Sequence, residues 1–204
     1  MINAQPLKWG HSLLVPYEPS NQFLYQRDLF AYTEFLTVSN AYVFYHSLFG
    51  GASVNSKHFQ LFPIEGVFVP ERKLYLFSLV ERNKNIASDH VLDIRSVASP
   101  DYPSRGFSVR NSDSILLAKK IWEIIDILQT GNIPFGIMGR KNQAFIFLIK
   151  NEEPKGFKNN PWGAFSCAGS LAIRYEALFN SLTEEMILDA MRDYAVFDDI
   201  FDSV

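Results

Sequence analysis

The residues best suited to chemistry lie between Tyr45 and Pro63, where YHSLFGGASVNSKHFQLFP joins a run of small residues to an alternating segment that presents His58, with Gln60 two residues on. Residues 58–63 are mostly apolar or aromatic and end at Pro63, the pattern of a short strand. Successive strand side chains point to opposite faces, so Ser56, His58 and Gln60 share one face and Lys57 takes the other. Just upstream, Gly50, Gly51, Ala52 and Ser53 have little bulk, so their backbone N–H groups can approach an anion, with the Ser53 hydroxyl and the Asn55 amide beside them. Neutral imidazole is a good nucleophile near pH 7, and a developing oxyanion needs N–H donors. A phosphate-sized pocket facing His58 would therefore suit attack on phosphorus. No Gly-Lys-Ser/Thr opening a helix follows the glycines, which excludes a P-loop. A histidine in a strand beside a Gly-rich turn also serves as an ordinary core or edge residue, and on these residues alone both readings stand.

Three separated segments resemble the His-x-His-x-Gln branch of the histidine-triad superfamily, which includes galactose-1-phosphate uridylyltransferase, diadenosine tetraphosphate phosphorylase and, most similar, the GDP-hexose phosphorylases. NAQPLKWGHSLLVP at 3–16 looks like the family's Asn-x-x-Pro-Leu-x-x-Gly-His-x-Leu-Leu-x-Pro first strand. HSLFGGASVNSKHFQLF at 46–62 is similar to its Asn-Ser-Leu loop running into the motif strand, with the loop spacing kept. PWGAFSCAGSLAIR at 161–174 looks like its Trp-glutamate-x-x-Gly-x-x-x-x-x-Arg segment, at approximate spacing. Between them, 112–150 has the matching order of helix, Asn-Ile-Pro turn and two strands. The likeness spans nearly the whole chain.

The resemblance implies an α+β fold, a HIT-like antiparallel β-sheet with packed helices forming one domain over 1–204. It also implies a nucleotidyltransferase or phosphorylase. His58 would attack the α-phosphorus of a nucleoside diphosphate sugar or a dinucleoside polyphosphate, and inorganic phosphate would discharge the nucleotidyl-histidine. Gly50, Gly51 and Ser53 would bind the anion, Asn55 the phosphate or ribose, and Asn3 the base or ribose. A neutral amide at Gln60 can hold a phosphoryl oxygen but cannot take a proton from water, which favours transfer to an anionic acceptor over hydrolysis. No cofactor or metal is required, although Mg²⁺ can accompany the phosphates. Pairing of two copies across a sheet edge is allowed without being required.

The chain departs from the family pattern at its centre. Ser56 stands where the family has the first motif His, His46 where it has the Asn that opens the loop, and Gly163 or Ala164 where it usually has a glutamate. In the family the backbone carbonyl of the first motif residue orients the nucleophile, a contact Ser56 can still supply. Its side chain cannot protonate a leaving group, a contribution of about 100-fold to 10,000-fold. Either His46 has taken over as acid or phosphate ligand, or the two positions drifted after catalysis was lost, leaving a nucleotide or sugar-nucleotide binding domain.

Composition sets wider bounds. A chain of 204 residues, 48% hydrophobic, can bury one substantial core. A net charge of −3 argues against a general nucleic-acid binder. The apolar run 13–15 is too short for a signal core, and no stretch approaches the ~18 residues needed to span a bilayer. The single cysteine, Cys167, excludes an internal disulfide and a Cys-rich zinc site and reads as a buried small residue, so the expected setting is the cytoplasm.

Periodicity predicts the elements that carry these residues. A strand ends near Val15, and Ser20 caps a helix over 21–37. Strands follow over 41–45, 58–63, 66–69 and 73–80. Residues 82–105 read as an irregular surface segment with His90 exposed, and as a flap near the substrate. A helix over 112–129, capped by Ser112 or Ser114, carries an apolar stripe of Ile115, Leu116, Ile121, Ile124, Ile125 and Leu128 and stops at Gly131. Then come a hairpin over 134–149 with its turn at 139–142, a loop at 155–160, a strand over 165–173, a helix over 183–194 and a solvated acidic tail. His11 is expected to pack beneath the loop in a structural role.

Overall fold

The computed structural model of the protein describes residues 11–48, 50–52, 55–63, 76, 80, 86–150, 154–157, 162–171, 173 and 175–195. Along the chain these form β1 (Ser12–Leu14), α1 (Gln26–Val38), β2 (Ala41–His46), β3 (Phe59–Pro63), β4 (His90–Asp93), α2 (Ile94–Val97), β5 (Gly106–Arg110), α3 (Ser114–Thr130), β6 (Phe135–Arg140), β7 (Gln143–Leu148), α4 (Ala164–Cys167), α5 (Glu176–Ser181) and α6 (Glu184–Tyr194). The seven strands make one sheet in the order β1-β3-β2-β6-β7-β5-β4, every pair antiparallel, as the α+β expectation requires.

The central strands β2 and β7 are buried along their whole length, because helices cover both faces of the sheet. On the back face, Val43, Tyr45, Phe59, Ile137, Ile146 and Leu148 pack with Leu29 and Leu36 of α1 and Leu117, Ile121 and Leu128 of α3. On the front face, Tyr42, Phe44, Phe62, Phe145 and Phe147 pack with Trp162, Ala164, Cys167 and Tyr194. His46 and Gln60 share parity with the front-face residues Phe44 and Phe62, so the candidate chemistry belongs to the front face.

The hairpin turns at Lys141 and Asn142, with Lys141 at φ 55°, a left-handed geometry suited to a tight two-residue connection. Helix α3 stops at Gly131 as expected, but its cap is Asp113, whose carboxylate accepts the Ile115 and Leu116 N–H groups. Its buried stripe starts at Leu117 and Ala118, whereas Ile115 and Leu116 are 56% and 46% exposed. Helix α1 begins five residues after the expected start, and Asp28 accepts the Tyr25 N–H at its N-terminus in place of a Ser20 cap. The helix over 183–194 forms with Thr183 accepting from the Met186 N–H.

Three further expectations change. Residues 165–173 do not form a strand: Ala164–Cys167 is a short helix whose Ala164 and Cys167 face the core, and Cys167 is buried as expected. Burial of its thiol raises its pKa to about 12. The segment read as irregular contains β4 and α2, and His90 is buried between the Ala87 carbonyl (3.0 Å) and the Ser108 hydroxyl (2.9 Å) rather than exposed. Of the strands expected over 66–69 and 73–80, only Leu76 and Val80 lie within the described residues, and both are helical. The first-strand residues before His11 and the acidic tail fall outside them. No helix among the described residues is long and apolar enough to cross a membrane.

Candidate active site

His58 sits at the mouth of β3, half-buried, and its Nδ1 lies 2.7 Å from the Ser56 carbonyl oxygen. A carbonyl can only accept, so Nδ1 carries the proton, and it is Nε2 that holds the lone pair in the neutral ring. That is the tautomer a nucleophile needs, and it is set by a backbone atom that the Ser56 substitution leaves in place. Ser56 is itself exposed.

The strand is fixed by a residue that sequence reasoning missed. The buried Gln22 amide accepts the His58 N–H (3.1 Å) through Oε1 and donates to the His46 carbonyl (2.6 Å) through Nε2, bridging the ends of β2 and β3. The Gln22 N–H in turn donates to Asn55 Oδ1 (3.0 Å). Gln22 lies in a polar connection, and no periodicity or motif marks it.

His46 and Gln60 are brought together. The β2–β3 register sets Phe44 opposite Gln60, and the Gln60 amide Nε2 lies 3.4 Å from His46 Nδ1. His46 Nε2 accepts the Ala164 N–H at 3.0 Å. The ring is only 8% exposed, and burial, followed by the neighbouring His58, lowers its pKa to about 4. The Nε2 that an acid would use is thus occupied by a backbone donor, which bears on the role expected of His46. His11 stacks on Phe62 at 4.2 Å beside the site, and its pKa is lowered by burial, which outweighs a hydrogen bond with Gln60 that raises it.

The glycine loop serves packing more than expected. The Gly50 N–H donates to the Ser47 carbonyl (2.9 Å), which takes that donor away from any anion. A Cβ on Gly50 would collide with the Phe135 carbonyl, and one on Gly51, at φ 102°, would sit 2.7 Å from the Trp162 carbonyl. Ser53 and Asn3 fall outside the described residues. Asn55 is exposed at the loop end. Among the described residues no group of three or more His, Cys, Asp or Glu side chains is arranged to hold a metal.

Lys57 turns away from His58, as expected, and the structure explains it. The ammonium is 2% exposed, lies 2.5 Å from Asp28 and sits 4.7 Å over the Tyr25 ring, so it ties the motif strand to the start of α1. Asp28→Ala leaves that buried charge without its anion and is expected to lower stability by about 2 kcal/mol. This is below the cost for a fully buried pair because Asp28 keeps part of its carboxylate in water. Urea unfolding at pH 7 measures it, and an unchanged midpoint would mean that the pair contributes nothing. A cavity of about 430 Å³ opens between the connection before α1 and the C-terminal end of α3, lined by Gln22, Tyr25, Asn55, Gln129 and Ile133 among others, with no charged side chain.

An antiparallel sheet with an ordered imidazole at one strand mouth, an amide two residues on and helices over both faces makes an α+β fold like that of an Ap4A phosphorylase. Yeast Ap4A phosphorylase Apa2 in complex with Ap4A superposes with a TM-score of 0.71 at 16% identity, over 96% of this chain and 72% of that one. Its complex with AMP gives 0.73 at 17% identity, over 96% and 71%. Residues 81–204 match the family model described as GDPGP1-like, C-terminal domain, and the chain belongs to that family. None of the curated proteins compared by sequence matches the chain.

Proposed function

We propose that the protein is a phosphorylase-type nucleotidyltransferase in which His58 carries the nucleotidyl group. His58 Nε2 attacks the α-phosphorus of a nucleoside diphosphate sugar or a dinucleoside polyphosphate. A P–N bond forms, and the P–O bond to the bridging oxygen breaks with its electron pair on the departing phosphate. The proton stays on Nδ1, where the Ser56 carbonyl stabilises the positive charge that the ring acquires. Inorganic phosphate then attacks the same phosphorus and restores neutral His58. The Gln60 amide binds a phosphoryl oxygen, Asn55 at the loop end meets the phosphate or ribose, Asn3 is assigned to the base or ribose by the family resemblance alone, and Mg²⁺ can accompany the polyphosphate.

The observation that carries this reading is the 2.7 Å contact from His58 Nδ1 to the Ser56 carbonyl, which leaves Nε2 ready in a fold shared with an Ap4A phosphorylase. The absence of an ionisable side chain at Ser56 is tolerable because the leaving group is itself a phosphate. With a second pKa of about 6 it departs as a dianion near pH 7 without a donated proton.

A second reading is favoured by the neutral His46, which leaves no side-chain acid to replace the first motif histidine: a nucleotide-binding domain without turnover. Intact mass after incubation with GDP-glucose, GDP-galactose, ATP or diadenosine tetraphosphate in phosphate-free buffer separates the two. A nucleotidyl-sized gain that disappears on adding phosphate supports the transferase and identifies the base. Thermal stabilisation by one nucleotide without an adduct supports the binding domain instead.

A further inference from the structure

His46 and Gly163 are distant in sequence and packed face to face in the fold. A Cβ on Gly163 would lie 2.5 Å from His46 Nε2, 2.8 Å from Cδ2 and 3.2 Å from Cε1, so the imidazole occupies the space that any side chain at 163 would need. The same ring closes a hydrogen-bonded chain that runs from the Ala164 N–H through Nε2 and Nδ1 to the Gln60 amide.

The direction of that chain is dictated at one end. A backbone N–H can only donate, so Nε2 must accept. A neutral imidazole then has its proton on Nδ1 and must donate from there. The atom of Gln60 that receives it must be the amide oxygen. The structure sets the Gln60 Nε2 toward Nδ1 at 3.4 Å, a contact between two donors, and since the amide oxygen and nitrogen are interchangeable in shape, a 180° rotation of the amide resolves it.

We propose that His46 is a positioning residue rather than an acid. It would be a neutral strut, made possible by Gly163, that transmits the fixed polarity of the Ala164 N–H to Gln60 and turns the Gln60 amide NH₂ toward the phosphate site. This rests on the proposed function only in naming a phosphoryl oxygen as the group which that NH₂ meets; the tautomer and the amide orientation stand without it. The consequence for recognition is specific. With its oxygen held by His46, Gln60 presents N–H donors to His11 and to the pocket, and such a group donates to a phosphoryl oxygen and has no acceptor to offer an ammonium. Two departures from the family pattern, at positions 46 and 163, thereby become one coupled change.

Long-range ¹H–¹⁵N correlation of the imidazoles in ¹⁵N-labelled unmodified protein reads the tautomer directly and needs no activity. His46, identified by the signals missing in His46→Gln, is expected to show a protonated Nδ1 and a pyridine-like Nε2, unchanged between about pH 5.5 and 8. A proton on Nε2, or an imidazolium appearing across that range, would overturn the proposal.

The kinetic arm compares adduct formation in two variants. Gln can accept from Ala164 and donate to Gln60, so His46→Gln is expected to slow it by only about threefold. His46→Phe fills the volume without either bond and is expected to slow it by about 10- to 100-fold. Equal losses of about 100-fold or more in both variants would make His46 an acid and defeat the assignment. If no variant, and not even the unmodified protein, forms an adduct, the reaction proposed above fails, and the tautomer measurement still decides the role of His46.

Discussion

His58→Ala is expected to abolish the nucleotidyl adduct and to cut any phosphorolysis by at least about 10,000-fold. The size follows from what the side chain supplies. Covalent transfer divides one displacement into two, and no other described group near the site is placed to replace the nucleophile: His46 Nε2 accepts a backbone N–H and His11 is stacked on Phe62. His58 is only half-buried and its backbone N–H stays with Gln22, so the truncation costs little stability and the loss can be read as chemistry. Single-turnover adduct formation followed by mass, with thermal unfolding of both proteins as the folding check, makes the measurement. An adduct that persists in the variant would place the nucleophile elsewhere and end the His58 assignment.

The second large effect is on stability in acid. Burial lowers the pKa of His46, His11 and His90 in the folded state, to about 4 for His46. As pH falls below the ordinary value near 6.5, the unfolded chain takes up protons that the folded protein refuses. Stability from these groups is thus complete above about pH 6.5 and is lost as pH falls toward 4. For His46 alone, a shift from 6.5 to about 4 corresponds to about 3 kcal/mol. Urea unfolding between about pH 7 and pH 4 should show a steep loss, and His46→Gln, which does not titrate there, should flatten it by that amount. Equal pH slopes in the two proteins would mean that the His46 ring is solvated and free to protonate.

Much of the frame was legible in the chain because it obeys local rules. Gly131 ends α3, Thr183 starts α6, and the apolar runs around 41–46 and 143–148 become the buried strands. The errors fall where local rules are ambiguous. The spacing of 115 and 116 fits a helical stripe nearly as well as that of 117 and 118, and only the helix's orientation on the sheet decides between them. Phe165 to Cys167 alternates well enough for a strand, yet the segment packs on the sheet's front face as a helix.

The site divides in the same way. His58 and Gln60 were legible because they lie two apart on one strand. The Gln22 bridge and the fit of His46 against Gly163 were not, since each joins residues that only the folded sheet brings together. A reading of the sequence finds three separate departures from a family pattern. In the fold, two of them share one volume.

The strand order also bears on how the protein acquires its site. The β6–β7 hairpin closes over a two-residue turn and the β4–β5 pair is of moderate range, whereas β2 docks on β6 by matching His46 with Gly136 across nearly half of the chain. Loop-closure entropy rises with the logarithm of the intervening length, so the hairpin and the helix before it can form early and the β2–β6 seam forms late. Since His46 stands at the end of that seam, the His46–Ala164 bond belongs to the final docking step. Pulse-labelled hydrogen exchange during refolding should protect the hairpin amides before those of β2, and the reverse order would refute this sequence of events. A chain that has assembled its site has by then completed its longest closure, so ligand binding can serve as a proofreading signal for the finished fold.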